Sequence, residues 1–459
     1  MMRSMGKLFG TDGIRGIVNE TLDSALAFRV GQAAALVLEG GTDARPLFVI
    51  GKDTRISSDM LEAALTAGLC ACGADVVSLG VIPTPGVAWL TVHMGADAGI
   101  VISASHNPFA YNGIKLFSSA GFKLNDALEE QMEALILSGE PLPVRTGAAI
   151  GHVRPGRGEI RDYIDYIAST VPGQMKPMRV LVDCANGAAS ATARQLFAKF
   201  PALQCDFLSD SPDGVNINDG CGSTHLGQLA AAVPAGGYDV GVAFDGDADR
   251  CLAVDEHGQE IDGDQIMALC AAAMLEENDL QGGGFVATVM SNIGLHKYAA
   301  AEGLQLRCAA VGDRNVLEMM QREGMVLGGE QSGHIIFLNH MTTGDGQLAA
   351  LHFLGILSKY DMPVSALAGK IHKYPQVLLN VPAPHDSAAK AAVLHDPALQ
   401  KAQAAAEEEL AGDGRILIRP SGTEALIRVM VEAGSAETAE RVARELCAVI
   451  EGIVGNSLP

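Results

Sequence analysis

Long apolar runs are absent from this chain. The stretch Ile266 to Leu275 is apolar but too short to span a bilayer, which takes roughly 20 residues. Basic residues are scarce: 32 Lys and Arg stand against 54 Asp and Glu, for a formal net charge of -22. That excludes a nucleic-acid or anionic-membrane surface, because both need clustered cations. The nine cysteines are dispersed, with no C-x-x-C pair. Cys70 and Cys72 lie too close together for a zinc knuckle and have no matching pair, so reduced thiols in a cytoplasmic protein are expected. The opening residues, Met1 to Lys7, lack the apolar core of a signal peptide. There is no Walker loop, no G-x-S-x-G elbow and no low-complexity tract.

What the chain does have is globular composition, at 48% hydrophobic and 19% charged over 459 residues. Strand-like and helix-like segments alternate: strand 47–51 with a helix capped within Ser57-Ser58-Asp59 and running to Cys70, strands 75–79 and 98–103, strand 179–183 with helix 188–200, and strand 285–290 with helices near 293–302 and 315–322. Such alternation predicts α/β domains with mainly parallel sheets, whose ligands bind beyond the carboxyl ends of the strands. Gly147 to Gly158 reads as a linker, with further breaks near 255–263 and 360–374. The expected domains are therefore 1–154, 155–256, 257–371 and 372–459. The last differs in pattern. It reads as strand 374–381, one long helix 387–410, strands 415–418 and 426–432, then helix 436–451, a smaller α+β layer.

The most telling stretch is Asp245-Gly246-Asp247-Ala248-Asp249-Arg250, which follows the buried strand 238–244. Three crowded carboxylates repel unless a cation neutralises them. Their oxygens suit a hard ion such as Mg²⁺, which leaves coordination positions for phosphate. The alternatives are a solvated acidic loop or an EF-hand. An EF-hand needs glycine where Arg250 stands, and a helix where Leu252-Ala253-Val254 reads as strand.

Four other segments offer chemistry, and each also has a plain reading as a turn. Ser103-Ala104-Ser105-His106-Asn107-Pro108 follows an apolar strand; beside a metal site, a phosphorylated serine supplies a further ligand oxygen. Phe9 to Gly16 is a glycine-rich turn with Arg15 as its cation. Gly328 to His334 carries Glu330, Ser332 and His334, partners for sugar hydroxyls or an amino group. Arg419-Pro420-Ser421-Gly422-Thr423-Glu424 is a phosphate clamp by composition, with Arg428 a second cation. Lys115 and Gly312-Asp313-Arg314 are weaker signals.

In this order, G-T-D-G-I-R-G at 10–16, S-A-S-H-N-P at 103–108, D-G-D-A-D-R at 245–250, G-E-Q-S-G-H at 329–334 and R-P-S-G-T-E at 419–424 resemble the α-D-phosphohexomutase superfamily over nearly the whole chain. Within it they look most like the branch that acts on glucosamine phosphates. The resemblance implies three α/β domains and a smaller C-terminal α+β domain around a central cleft. It implies phosphoserine at Ser105, and Mg²⁺ held by Ser105, Asp245, Asp247 and Asp249. Lys115 and Arg15 would support proton and charge transfer, and His106 joins them among the catalytic candidates. Arg250, Glu330, Ser332 and His334 would contact the sugar or phosphate. Arg419, Ser421, Gly422, Thr423 and Arg428 would bind the phosphate that is not reacting. Ala248, Ala425 and Tyr111 depart from the usual family residues.

The implied reaction interconverts glucosamine 6-phosphate and glucosamine 1-phosphate, feeding UDP-N-acetylglucosamine synthesis. Ser105 would pass its phosphoryl group to the sugar, and glucosamine 1,6-bisphosphate would turn over as intermediate and activator. Partners are thus sugar phosphates, with no nucleic acid and no membrane; a homodimer is left open. One alternative is a relative acting on mannose or glucose phosphates. Another is a silent sugar-phosphate binder, against which Ser105, the three aspartates and Lys115 argue.

Overall fold

The structure is a computed structural model, and it describes residues 8–10, 12–38, 45–172, 174–360, 362–421 and 424–457. It divides into two compact units: residues 1–290 with 304–369, and residues 291–303 with 370–459.

The first unit holds three mixed sheets. The first runs in the order Ile14–Ile17, Tyr111–Ser118, Ala98–Ile102, Leu47–Lys52, Asp75–Val81, Val153–Pro155, parallel from Ala98–Ile102 onward and antiparallel before it. Its central strands read as continuous apolar runs because helices cover both faces; Phe48, Ile50, Ile100, Ile102 and Ile114 join one core with Leu61 and Leu65. The expected linker is part of this sheet: Val153–Pro155 pairs in parallel with Asp75–Val81 as an edge strand. Glycine and proline around it suit an edge, where the backbone is paired on one side only.

The second sheet runs Glu260–Ile261, Cys251–Asp255, Val240–Phe244, Met178–Asp183, Leu203–Leu208. Val240–Phe244 and Cys251–Asp255 are antiparallel, with Phe244 opposite Cys251, so residues 245–250 form the loop of a hairpin. The third sheet runs Gln305–Ala309, Gly284–Thr288, Leu327–Gly329, Ile335–Phe337, and residues 330–334 close its antiparallel hairpin. The helix expected over 188–200 is broken into a 3₁₀ turn at Ala188–Ala191 and a short helix at Ala193–Phe197. Thr192 sits at the break, its hydroxyl 3.0 Å from Gln347 Oε1.

The second unit is a three-stranded antiparallel sheet, Gln376–Pro382, Leu426–Ala433, Gly414–Pro420 in spatial order. Helix Ala436–Ser457 packs against it, and Ile427, Val429 and Val431 share a core with Val442, Leu446 and Ile450. The single long helix expected over 387–410 is two helices, Ser387–Leu394 and Pro397–Leu410. Asp396 caps the second through the Ala398 N–H at 2.8 Å, and Pro397 starts it, where a missing N–H costs nothing. The mixed α/β sheets and the smaller antiparallel C-terminal layer match the fold class read from the sequence. No described helix is long and apolar enough to cross a membrane.

Candidate active site

Ser105 lies just beyond the buried strand Ala98–Ile102 and is 1% exposed. Its backbone is left-handed, with φ at +51°, an uncommon state for a residue with a side chain. In that conformation its hydroxyl donates to Asp245 Oδ2 at 2.5 Å. His106 Nδ1 is 3.4 Å from the Ser105 hydroxyl oxygen. Burial, then Arg250 and Arg15, lower the His106 pKa to about 4, so the ring is neutral at pH 7.

Asp245, Asp247 and Asp249 are all buried, and each presents a carboxylate oxygen within 4.8 Å of the others. Burial, then Asp249 and Asp247, push the Asp245 carboxyl well above its usual range. Asp247 Oδ1 and Asp249 Oδ1 are buried without a hydrogen-bond partner. Crowded acids with unsatisfied hard oxygens fit a divalent cation. The hairpin reaches this shape through Ala248, whose φ of +56° is the left-handed angle that glycine tolerates better. The Gly346 N–H donates to the Ala248 carbonyl at 2.9 Å, which helps hold the angle.

Lys115 stands on strand Tyr111–Ser118, opposite Val101, and is 1% exposed. Its ammonium is 2.7 Å from Asp247 Oδ2, 3.2 Å from Asp12 and 3.6 Å from Asp249. Burial disfavours the charge, but Asp12, Asp247 and Asp249 outweigh it and raise the Lys115 pKa. These three carboxylates favour the charged form of Lys115. Thr84 Oγ1 also donates to Asp247 Oδ2, at 2.7 Å.

The glycine turn folds onto this strand. A Cβ at Gly13 would lie 2.3 Å from the Ile114 carbonyl oxygen, so only glycine fits. Arg15 pairs with Asp12, which also pairs with Lys123; Lys123 reaches Asp313 Oδ2 at 2.5 Å. Thr11 of this motif lies outside the described residues.

The 330–334 hairpin meets the acidic loop through backbone. Cys251 N–H donates to the Gly333 carbonyl at 3.0 Å, and a Cβ at Gly333 would lie 2.3 Å from Cys251 O. His334 is buried, with Nδ1 3.7 Å from Asp249 Oδ2. Burial lowers its pKa, but Asp249, Asp313 and Glu330 raise it more. The Gly344 N–H donates to Nε2 at 3.1 Å, which opposes the doubly protonated ring and leaves the proton on Nδ1. Glu330 accepts from the Gly312 N–H at 3.0 Å. Ser332 is exposed at the turn. Asp12, Arg15, Asp249, Arg250, Gly312, Asp313, Glu330 and His334 are among the residues lining one cavity of about 330 Å³.

In the second unit, Arg419 and Arg428 face each other across neighbouring strands. Burial and the Arg428 charge lower the Arg419 pKa. Arg428 donates to Glu424 Oε2 at 2.7 Å. Lys390, 4% exposed, donates to the Ser421 and Glu424 carbonyls at 2.8 and 2.6 Å and pins both ends of the loop. Gly422 and Thr423 lie outside the described residues. Ala425 accepts from the Ala383 N–H at 2.9 Å.

The first unit thus brings Ser105, His106, Lys115, Arg15, the three aspartates, Arg250, Glu330 and His334 together. Reading the sequence missed Asp12, Thr84, Lys123 and Lys390, and gave Asp313 little weight. A lone charged residue looks like surface until tertiary structure buries it. For Asp12 a signal was present, an acid inside a glycine turn beside an arginine.

Models of phosphoglucomutase/phosphomannomutase α/β/α domain I match residues 6–142, domain II residues 161–258, domain III residues 262–374 and the C-terminal domain residues 378–449. The phosphoglucosamine mutase of Moorella thermoacetica is 51% identical over 98% of this chain and 100% of its own length. That of Ruminiclostridium cellulolyticum is 50% identical over 98% of this chain and 99% of its own length. Among solved structures, a phosphoglucomutase/phosphomannomutase family protein of Burkholderia thailandensis superposes with a TM-score of 0.78 at 25% identity, covering 96% of this chain and 97% of its own. The Aspergillus fumigatus N-acetylphosphoglucosamine mutase, solved with GlcNAc-6P and magnesium, shares the fold with a TM-score of 0.65 at 18% identity, covering 97% and 96%. With four matched domains in order and half the residues shared over nearly full length, the chain belongs to the phosphoglucosamine mutase branch of the phosphoglucomutase/phosphomannomutase family.

Proposed function

We propose that the protein interconverts glucosamine 6-phosphate and glucosamine 1-phosphate through phosphorylated Ser105, supplying the 1-phosphate for UDP-N-acetylglucosamine synthesis. One observation carries the reading: a buried serine hydroxyl bonded to Asp245 inside a triad that retains unpartnered oxygens. About half-identity to phosphoglucosamine mutases supports the choice of sugar.

Asp245, Asp247, Asp249 and the Ser105 oxygen would hold one Mg²⁺. Bound there, it would polarise the phosphoryl group and offset its charge. The sugar O1 takes the phosphoryl group as the bond to Ser105 Oγ breaks. The intermediate, glucosamine 1,6-bisphosphate, then returns its 6-phosphate to Ser105, so no phosphate is consumed. The proton lost by one sugar hydroxyl is regained at the other. Lys115 and Arg15 supply fixed positive charge, and His106 is a neutral hydrogen-bond partner. Arg250, Glu330, Ser332 and His334 orient the sugar, and the 419–424 loop with Arg428 takes the phosphate that is not reacting.

Turnover of glucosamine 6-phosphate, measured beside glucose 6-phosphate and mannose 6-phosphate with Mg²⁺ and bisphosphate activator, tests this. The glucosamine ester should have the highest kcat/KM. Preference for either other sugar would move the protein to a glucose or mannose role. Binding without isomerisation would make it a sugar-phosphate binder.

A further inference from the structure

We propose that Arg55 is a positioning residue for phosphoryl transfer: its buried guanidinium sets the backbone of the Ser105 loop so that the serine oxygen faces Asp245. The proposal rests on the phosphoserine reading above.

Arg55 is 2% exposed, and every one of its side-chain N–H donors is used. Nε donates to Asp53 Oδ2 at 2.8 Å. Nη1 donates to the carbonyls of Pro108 at 2.5 Å and Tyr111 at 3.0 Å. Nη2 donates to the carbonyls of Ser105 and Asn107, both at 2.8 Å. One rigid fork therefore gathers four carbonyls of the 105–111 segment.

Asp53 links the fork to the other side of the serine. Its Oδ2 also accepts from Ser103 Oγ at 2.6 Å, and Ser103 Oγ accepts from the Ser105 N–H at 2.9 Å. Asn218, from the unit's second sheet region, adds a donor to the Ser105 carbonyl at 3.0 Å and to that of Asn107 at 3.3 Å. Both backbone groups of Ser105 are thus tied to side chains anchored by the Arg55–Asp53 pair. That is what an uncommon left-handed serine requires to persist, since the surroundings must over-determine such a conformation. Arg55 itself touches none of the three aspartates that would bind metal. Its effect runs through the orientation of the serine oxygen, and small misplacements of a reacting atom are expensive in rate.

The test is Arg55→Lys, which keeps the charge beside Asp53 but has neither the planar fork nor enough donors to span four carbonyls. Asn218→Ala, which removes one bond to the Ser105 carbonyl, is the second variant. Steady-state kinetics per folded molecule, Mg²⁺ calorimetry and phosphate occupancy at Ser105 by mass spectrometry are read together. Arg55→Lys should lower kcat about 100-fold and Asn218→Ala about tenfold, with KM for glucosamine 6-phosphate within about threefold of wild type. Mg²⁺ affinity should stay near wild type in both. Unchanged kcat per folded molecule, or a rise in KM alone, overturns the positioning role. If Arg55→Lys does not fold, Asn218→Ala decides by the same criteria. A wild-type protein that turns over substrate without ever carrying phosphate on Ser105 overturns the phosphoserine reading and this proposal together. Normal variants beside an active, phosphorylated wild type overturn the positioning role only.

Discussion

The acidic cluster of the first unit and the 419–428 segment of the second solve opposite electrostatic problems. In the first, Asp12, Asp245, Asp247, Asp249, Asp313 and Glu330 meet Arg15, Lys115, Lys123 and Arg250, with anions in excess. The carboxylates are partly neutralised by ammonium and guanidinium groups at hydrogen-bond distance, and the oxygens left over suit a cation. In the second, Arg419 and Arg428 stand directly opposite on antiparallel strands, an arrangement of like charges that opposes folding unless an anion or a neighbouring acid relieves it. Glu424 relieves Arg428 in part. A chain with net charge -22 thus keeps two facing cations at Arg419 and Arg428, and an anion surplus around the three aspartates. Burial differs as well. Lys115 and the aspartates are sealed in, whereas Arg428 keeps 31% of its side chain exposed.

The contrast is sharpest at Ser105. Ser105→Ala should lower kcat by several orders of magnitude, because the covalent route is gone, and intact-mass analysis should show no phosphate on the variant. Full activity would leave the buried site without its central role. Next in size, Asp247→Asn should reduce turnover and Mg²⁺ affinity together, each on the order of 100-fold, since it weakens a ligand and the partner of Lys115 and Thr84 at once. Normal calorimetry and rate would mean that the metal sits elsewhere.

Changes in the second unit should be milder and of another kind. Arg419→Lys should raise KM about tenfold for both sugar 1-phosphate and sugar 6-phosphate, because lysine cannot reproduce the bidentate fork. Some loss in kcat should follow from poorer orientation, while Mg²⁺ affinity and Ser105 phosphorylation stay near normal. An unaltered KM for both esters would reduce this segment to a turn.

The smallest effect probes burial away from both sites. His352 stacks on Phe337, and burial, then His340, lower its pKa to about 3. The unfolded ring takes up a proton near pH 6.5, while the folded ring stays neutral until about 3. Between those values the unfolded state binds more protons, so this histidine makes stability fall as pH falls. His352→Leu should flatten the dependence of unfolding free energy on pH between about 6 and 4, by up to about 1.4 kcal/mol per pH unit. Parallel curves for variant and wild type would show that the ring is not held neutral.

Much of the fold was legible because its signals are local. Strand Val240–Phe244 is an unbroken apolar run ending in charge, and the alternation of strands and helices marked the α/β units. Local signals also explain the misreadings. The Asp396-Pro397 cap lies inside an alanine-rich stretch that has the pattern of one continuous helix, and the edge strand Val153–Pro155 has glycine and proline neighbours that have the pattern of a linker. Ser105 and the three aspartates were legible because crowded like charges and a serine among small residues are unusual at short range.

By itself the sequence determined the acidic balance, the three alternating carboxylates and the clustering of Arg419, two hydroxyl residues and a glycine at 419–424, since each depends only on residue type and spacing. Tertiary structure alone decided which charges meet. Asp12, Lys123 and Asp313 are far apart in the chain, yet they form one chain of ion pairs. The left-handed angles of Ser105 and Ala248 belong to the same class. Local bonds, from the Ser105 N–H to Ser103 Oγ and from the Ala248 N–H to the Asp245 carbonyl, are joined by bonds from residues remote in sequence, which form only once the sheets have assembled.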